Sequence, residues 1–185
     1  MPETDHPAHR RVLDAAARKG VALEILSFPQ STHTAAEAAQ AVGAELGQIV
    51  KSLVFVAPDH EDGVVPYLVL ASGANRVDVA RLAAVVGEPQ IRRATAREAA
   101  EATGFVIGGI PPFGHERPLR VVMDPDLGRF PLVFAAAGTQ NAVFGLPPAT
   151  LVSLANATVS PIAAPEAEES LTGGGASRVN AASGA

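Results

Sequence analysis

Apolar and polar positions recur along this chain with two periods, and the period changes from segment to segment. A spacing of three to four residues predicts amphipathic helices, and alternation predicts strands. Thr34 with Glu37, and Thr95 with Glu98, have the spacing of a helix-capping box. We expect helices at 7–19, 34–42, 78–86, 95–102 and 147–155. We expect strands at 21–28, 49–57, 64–72, 91–94, 119–124, 131–137, 142–144 and 159–162.

The order of these elements predicts the fold class. A short polar turn at 58–63 separates two apolar strands, which we expect to pair as an antiparallel hairpin. Helices and strands are mixed along the chain, so the pattern indicates an α+β or mixed-sheet α/β protein with a single domain. From residue 163 the composition changes to Ala, Glu, Gly and Ser. We therefore predict a folded domain at 5–162 and a disordered tail at 163–185.

The strand at 49–57 contains one unusual residue. Both of its faces are mostly apolar, which is typical of a central strand covered on both sides. Lys51 shares a face with Ile49, Leu53 and Phe55, and it is one of only two lysines in the chain. Either it lies at the strand end and reaches solvent, or its ammonium forms the floor of a pocket for an anion or polar substrate. The strand alone leaves both interpretations open.

Composition narrows the classes of function. The chain has 185 residues, 48% of them hydrophobic, and a net charge of −5, which excludes a global basic field for nucleic acid. It has no cysteine, which excludes disulfides, thiolate metal sites and cysteine nucleophiles. The polar N-terminal residues predict no signal peptide, and no apolar run is long enough to cross a membrane. We expect a cytoplasmic protein.

Common catalytic and nucleotide-binding motifs are absent from the sequence. There is no phosphate-binding glycine loop, no zinc-binding histidine pair of the metalloprotease type and no serine elbow around Ser52. No cluster has metal-ligand spacing, so we expect no metal and no cofactor. His6 and His9 are three residues apart at a helix start, where we expect an exposed pair.

The segment from Gly108 to His115 is too rich in glycine and proline to be regular. Consecutive glycines let a backbone approach a ligand and present N–H groups to it, and prolines stiffen the loop. The alternative is a structural crossover, which the pattern alone favours. For His115 we favour a surface position over an acid or base role.

Two further segments carry polar groups at strand ends. Residues 137–141 offer hydroxyl and amide groups that either read a small substrate or complete a turn. Asp124 either orients a polar group or starts the turn at Pro125.

Several motifs together resemble the YbaK family, which includes free-standing trans-editing deacylases and the editing insertion of bacterial prolyl-tRNA synthetases. They are Thr34-Ala-x-Glu-Ala-Ala, Ile49-Val-Lys51-Ser-Leu-Val-Phe, Gly108-Gly-Ile-Pro-Pro112-x-Gly and a closing Ala-Ala-Gly138. The resemblance spans about 30–160. It implies a mixed, partly antiparallel or barrel-like sheet surrounded by helices.

The resemblance also implies an activity, which is hydrolysis of the ester that joins a wrong amino acid to tRNA. Lys51 matches the lysine that this family uses near the substrate, and Gly108–Pro112 matches the backbone that holds the aminoacyl carbonyl and the attacking water. The catalytic residues implied in this way are Lys51, Gly108 and Gly109. The substrate-binding residues implied are Ile110, Pro111, Pro112, Ser52, Gly138, Thr139 and Asn141.

Departures from the family pattern concern specificity. Members acting on Cys-tRNA often carry a serine where this chain has Pro111, and members acting on Ala-tRNA often carry a histidine in the segment of Gly138–Asn141. The reaction class that the resemblance implies is unaffected.

The expected partner is the acceptor end of an aminoacyl-tRNA, with an aminoacyl-tRNA synthetase as a possible second partner, and we expect a monomer. Since the net charge is acidic, phosphate contacts require a local patch. Candidates are Arg76, Arg81, Arg92, Arg93, Arg97, Arg117 and Arg120. Two rival functions remain: a non-catalytic module that binds an aminoacyl group, a nucleotide or a synthetase, and a hydrolase of small aminoacyl esters.

Overall fold

The structure is a computed structural model that describes residues 6–164. Five helices and eight strands form an α+β domain with two sheets. The helices are α1 (Pro7–Ala17), α2 (Ala35–Val42), α3 (Val79–Val86), α4 (Ala96–Thr103) and α5 (Pro148–Ala155). The strands are β1 (Ile25–Ser27), β2 (Val50–His60), β3 (Gly63–Ser72), β4 (Arg92–Arg93), β5 (Arg120–Met123), β6 (Val133–Ala136), β7 (Ala142–Leu146) and β8 (Thr158–Val159).

The larger sheet has five strands in the order β4-β2-β3-β5-β8. The predicted hairpin is confirmed, since β2 and β3 pair antiparallel with Lys51 opposite Ala71. β5 then joins β3 in parallel, because α3 and α4 return the chain to the same end of the sheet. The sheet is therefore mixed, as the sequence predicted.

The second sheet is antiparallel, in the order β1-β7-β6. A parallel bridge between Ile49 and Phe134 connects it to the start of β2. One apolar core lies beneath this junction and includes Val50 and Val54 of β2. A second core, with Phe55 of β2 and Leu82 of α3, covers the opposite face of the larger sheet. The predicted alternation of the β2 side chains is confirmed.

Both predicted capping boxes are present. The Thr34 hydroxyl accepts from Glu37 N at 3.1 Å and the Thr95 hydroxyl from Glu98 N at 3.2 Å, and each glutamate returns a bond to its cap. Such caps contribute about 0.5–2 kcal/mol each. They fix where α2 and α4 begin, and both starts lie close to the site described below.

Several predicted strands are shorter than expected, among them those at 21–28 and 159–162. Only Ile25–Ser27 of the predicted 21–28 strand pairs, because β7 offers partners to those three residues alone. The predicted 159–162 strand is wrong in its bounds, since pairing is confined to Thr158–Val159. The apolar residue Ile162 lies outside the strand. It is buried in the core that also contains residues of α3.

The end of the described chain pairs with the segment between β3 and α3. Ala163 bridges to Val77, and Ala164 N donates to Arg76 O at 2.8 Å. The predicted disordered tail otherwise lies outside the described residues. Among the described helices, none combines the length and apolar character that crossing a membrane requires.

Candidate functional site

A cavity of about 250 Å³ lies where β2 meets β6. The start of β2, β6, the glycine–proline loop and the residues leading into α2 enclose it. Lys51, Ser52, Gly108 and Ile110 are among its lining residues, so four of the predicted site residues meet in one pocket. Its remaining lining is mostly apolar and small, including Ala99, Ala135, Ala136 and Val143.

Lys51 is half-buried in this structure. Its ammonium donates to the carbonyl oxygen of Asn75, in the turn that follows β3. Burial lowers the pKa of Lys51, the neighbouring Arg93 and Arg76 lower it further, and the Asp124 carboxylate acts in the opposite direction. Lys51 therefore does not extend freely into solvent, and the interpretation of Lys51 as a pocket residue gains support.

Arg93 is the second cation of the pocket lining. β4 pairs Arg93 with Phe55, and its guanidinium carbon lies 5.3 Å from the centre of that ring. A guanidinium in that position gains cation–π attraction while it stays exposed. Arg93 and Lys51 thus place two positive charges at the pocket.

The seven candidate arginines have different contacts in the structure. Arg76 and Arg93 lower the pKa of Lys51, whereas four others pair with neighbouring groups. Arg92 pairs with Glu98 at 2.8 Å and Arg97 with Glu101 at 2.7 Å. Arg81 and Arg120 donate to main-chain carbonyls, at 3.0 and 2.7 Å.

The glycine–proline loop leaves Gly108 exposed and buries the residues that follow. Gly108 has φ +89°, a conformation that favours glycine. Gly109 packs against a second turn so closely that a Cβ there would lie 2.8 Å from Thr139 Cα. The Gly109 N–H donates to Val106 O at 3.0 Å, so this glycine has a packing role. Gly108 and Ile110 are the loop residues that line the pocket.

Pro111 and Pro112 are buried and are not among the residues that line the pocket. His115 Nε2 donates to Pro111 O at 2.8 Å, and the ring meets Phe105 edge-on at 6.1 Å. Burial lowers the pKa of His115, which favours the neutral ring. The predicted surface position of His115 is wrong, because the ring is half-buried and donates a hydrogen bond to the main chain of the loop.

The turn at Gly138–Asn141 supports the loop instead of lining the cavity. Gln140 donates from its amide to Ile107 O at 2.9 Å. The Thr139 hydroxyl donates to Asn141 Oδ1 at 2.9 Å, and the Asn141 amide donates to Phe28 O at 3.1 Å. The structure therefore places Gly138, Thr139 and Asn141 beneath the loop and not in the pocket lining. The side chains of Thr139 and Asn141 are already hydrogen-bonded within the protein.

His9 completes this support from α1. Its Nε2 lies 2.9 Å from Thr139 Oγ1, whose own proton is directed to Asn141, so Nε2 carries the donated proton. His9 is 3% exposed. The predicted exposed pair is wrong for His9, because α1 packs on the core through this face. His6 is exposed, and its Nδ1 accepts from Ala8 N at 3.1 Å.

Asp124 serves both of the roles that the sequence left open. Oδ1 accepts from Asp126 N at 3.0 Å and starts the 3₁₀ turn Pro125–Arg129. Oδ2 accepts from the Asn75 amide at 2.8 Å and from Ser72 N at 3.2 Å. The carboxylate is 1% exposed, so these donors replace its hydration.

Ser52 carries a polar atom without a protein partner in the described part of the chain. Its Oγ is buried and has no hydrogen-bond partner among the described residues. An unpaired buried hydroxyl costs about 1–3 kcal/mol, and a group that pairs with it in the pocket recovers that cost. Ser52 is therefore a candidate for contact with a polar ligand.

Sequence reasoning missed three lining or supporting residues. His33 and Thr32 line the cavity, and their only signal was the polar run before the Thr34 cap. Asn75 lies in a Gly-Ala-Asn-Arg break that the sequence treated only as the end of a strand. Residues 6–164 contain no group of three or more histidine, aspartate or glutamate side chains placed to hold a metal ion.

Comparisons with known proteins give this geometry a context. The family model described as "Aminoacyl-tRNA editing domain" matches residues 29–154. YwhH of Bacillus subtilis (strain 168) is 33% identical over 128 residues, which are 69% of this chain and 78% of YwhH. The multifunctional Ser/Thr-tRNA deacylase ProXp-y of Escherichia coli (strain K12) is 30% identical over 122 residues, 63% of this chain and 69% of that protein.

A solved structure is also similar in both fold and sequence. It is described as a candidate trans-editing enzyme for prolyl-tRNA synthetase, with a TM-score of 0.78 and 48% identity. The match covers 86% of this chain and 98% of that one. The residues that the family model matches, 29–154, include β2, the glycine–proline loop and the pocket between them.

Proposed function

The chain belongs to the aminoacyl-tRNA editing domain family, and from this premise we propose that it hydrolyses the ester of mischarged aminoacyl-tRNA in trans. The observation that carries the proposal is the small pocket lined by Lys51, Ser52, Gly108 and Ile110. At about 250 Å³ it is smaller than drug-sized pockets of about 300–1,000 Å³. That size suits a small aminoacyl group at the end of a longer molecule.

The proposed reaction needs no side-chain nucleophile. A water oxygen attacks the aminoacyl carbonyl carbon, and the carbonyl oxygen gains negative charge. The bond from that carbon to the ribose oxygen then breaks, and the proton of the water passes to the ribose oxygen. The products are a free amino acid and an uncharged tRNA. Main-chain N–H groups of Gly108 and Ile110 and the ammonium of Lys51 stabilise the developing charge.

Fixed donors suit this reaction because an aminoacyl ester is already activated. Holding the ester and the water in a preorganised site lowers the barrier through orientation and electrostatics. The support of the loop by His115, Gln140 and the packed Gly109 agrees with this need, since each contact restricts loop motion.

Ser52 is proposed to contact the aminoacyl side chain. A substrate hydroxyl satisfies the buried Ser52 Oγ, whereas a methyl group leaves it unpaired. The relative that is named a Ser/Thr-tRNA deacylase supports the same class of side chain. Small hydroxyl-bearing amino acids are therefore the proposed substrates.

The direct test is a panel of mischarged tRNAs and matched free aminoacyl esters. We expect the wild-type protein to cleave Ser-tRNA or Thr-tRNA faster than Ala-tRNA, and Ser52→Ala to reduce that preference by about 5- to 160-fold, the equivalent of leaving a buried polar group unpaired at a cost of about 1–3 kcal/mol. Initial rates of amino acid release measure the effect. Absence of cleavage for every tRNA contradicts the enzyme proposal, and cleavage of free esters alone favours the small-ester hydrolase.

Arg93 is proposed to contact a phosphate of the tRNA acceptor end. We expect Arg93→Ala to raise KM for aminoacyl-tRNA and to reduce the slope of log KM against log salt by roughly 0.7, the value for one contact to a single strand. Hydrolysis of a free aminoacyl ester should change little. Arg97→Ala is the matched control, because Arg97 is exposed and paired with Glu101. Equal effects of the two variants would contradict the contact.

A further inference from the structure

Lys51 lies at the end of a chain of polar contacts that reaches a buried carboxylate. The Lys51 ammonium donates to the Asn75 carbonyl, and the Asn75 side-chain amide donates to Asp124 Oδ2 at 2.8 Å. The same amide donates to Asp126 Oδ2 at 2.7 Å. Both amide protons of Asn75 are thus directed to carboxylates, which fixes the orientation of the residue.

The turn that carries Asn75 is held firmly on its other side. Ser72 Oγ donates to Gly47 O at 2.8 Å, and Gly73 N donates to Ile49 O at 2.7 Å. A Cβ at Gly73 would lie 2.3 Å from Leu46 O, so the turn packs directly on the segment before β2. The carbonyl that receives Lys51 therefore has little freedom to move.

Asp124 is buried and held by three hydrogen-bond donors, so its carboxylate has a defined position. It is 1% exposed, and it accepts from Ser72 N, Asp126 N and the Asn75 amide. Burying a carboxylate is costly unless its lone pairs are satisfied, so structural need explains the three donors. Their placement has a second effect, because the Asp124 carboxylate favours the ammonium form of Lys51, whereas Arg93 and Arg76 disfavour it.

We propose that Asp124 and Asn75 are positioning residues for Lys51: Asn75 sets where the ammonium lies, and Asp124 orients Asn75 and keeps Lys51 charged beside two arginines. This inference rests on the proposed function for its catalytic consequence. The charges that act on Lys51 are those of Arg93, Arg76 and Asp124, and Asp126 is linked to it through Asn75.

The charge effect is tested without any substrate. The chain has two lysines, so labelling the ε-carbon of lysine gives two NMR signals, and Lys19→Arg identifies the signal of Lys51. We expect Asp124→Asn to move the titration of Lys51 to lower pH, because removing a negative charge disfavours the ammonium beside two arginines. The Lys19 signal in the same spectra is the internal control. Asp126→Asn makes the same chemical change and should leave the Lys51 titration where it is.

An unchanged Lys51 titration in folded Asp124→Asn overturns the charge role, and so does an equal shift in Asp126→Asn. Because this measurement needs only the protein, it remains decisive even if the chain cleaves no aminoacyl ester. Failure of the proposed function and failure of this inference are therefore separate results.

The positioning effect is tested with Asn75→Ala, which leaves Asp124 with its two main-chain donors. We expect kcat for aminoacyl-tRNA to fall on the order of 10- to 100-fold with KM changed less than threefold, since displacement of a catalytic group by about 1 Å has effects of this size. If Asp124→Asn does not fold, this variant still decides the point. Wild-type kcat in folded Asn75→Ala overturns the positioning role.

Discussion

Lys51→Ala is expected to lower kcat for aminoacyl-tRNA hydrolysis by about 100- to 1,000-fold, the usual effect of removing one preorganised charge-stabilising donor. KM should change less, because the lysine is proposed to act mainly on charge that develops during the reaction. The thermal unfolding midpoint should stay close to that of the wild type, since burial already disfavours the ammonium. Single-turnover rates of amino acid release measure the loss.

Lys19→Ala is the matched control for this result. Lys19 donates to the carbonyls of Ser153 and Leu154 at the end of α5, at 2.9 and 3.0 Å, and takes no part in the pocket lining. Removing it should leave kcat unchanged. Wild-type activity in Lys51→Ala would remove the lysine from the mechanism while leaving the loop in place.

The pH dependence separates two roles for Lys51. As a charge stabiliser, the lysine acts in its ammonium form, so activity is present below its pKa and is lost as pH rises through it. Since burial lowers that pKa, the loss should begin at lower pH than for an exposed lysine. As a general base, the lysine would produce the opposite limb, with activity rising through the same pKa. Rates corrected for spontaneous ester hydrolysis distinguish the two.

Gly109→Ala is expected to reduce kcat on the order of 100-fold, although Gly109 does not line the pocket. The added methyl group would lie 2.8 and 2.9 Å from main-chain carbon atoms of Thr139 and 3.0 Å from Gly138 O. Main-chain atoms cannot rotate away, so the loop must shift and carry Gly108 and Ile110 with it. A displacement of about 1 Å suffices for such a loss, and overpacking costs about 1–3 kcal/mol of stability.

Gly128→Ala is the control for the glycine substitution. Gly128 has no heavy atom within 4 Å of the added Cβ and lies in the 3₁₀ turn after Asp124, away from the loop. Activity and thermal midpoint should both stay near the wild-type values. If Gly109→Ala is as active as Gly128→Ala, close packing of the loop on Thr139 is not needed for catalysis.

Local rules predicted most of the elements and the central part of the pocket. Capping boxes, glycine ends and alternation need only neighbouring residues, so α2, α3, α4 and the β2–β3 hairpin follow from the sequence. Lys51 stood out because a single cation interrupted an apolar face. The glycine–proline loop stood out because no regular element accommodates it.

The errors share a physical cause, which is that side-chain partners far apart in sequence decide the role of a polar residue. His9 and Thr139 are 130 residues apart, and Asn141 and Phe28 are 113 apart. Nothing near His9 in the sequence indicates that it forms a hydrogen bond with the Thr139 hydroxyl in the core. The same reason hid Asn75, whose partners Asp124 and Asp126 follow about 50 residues later.

The first helix contacts the site from outside the residues that the family model matches. The family match begins at residue 29, yet α1 supplies His9 to the turn under the loop. It also supplies Arg11, which lies 4.1 Å from the centre of the Phe105 ring and donates to the Gly104 carbonyl at 3.1 Å. The contacts that hold the loop and its supporting turn in this chain therefore extend beyond the residues that the family model matches.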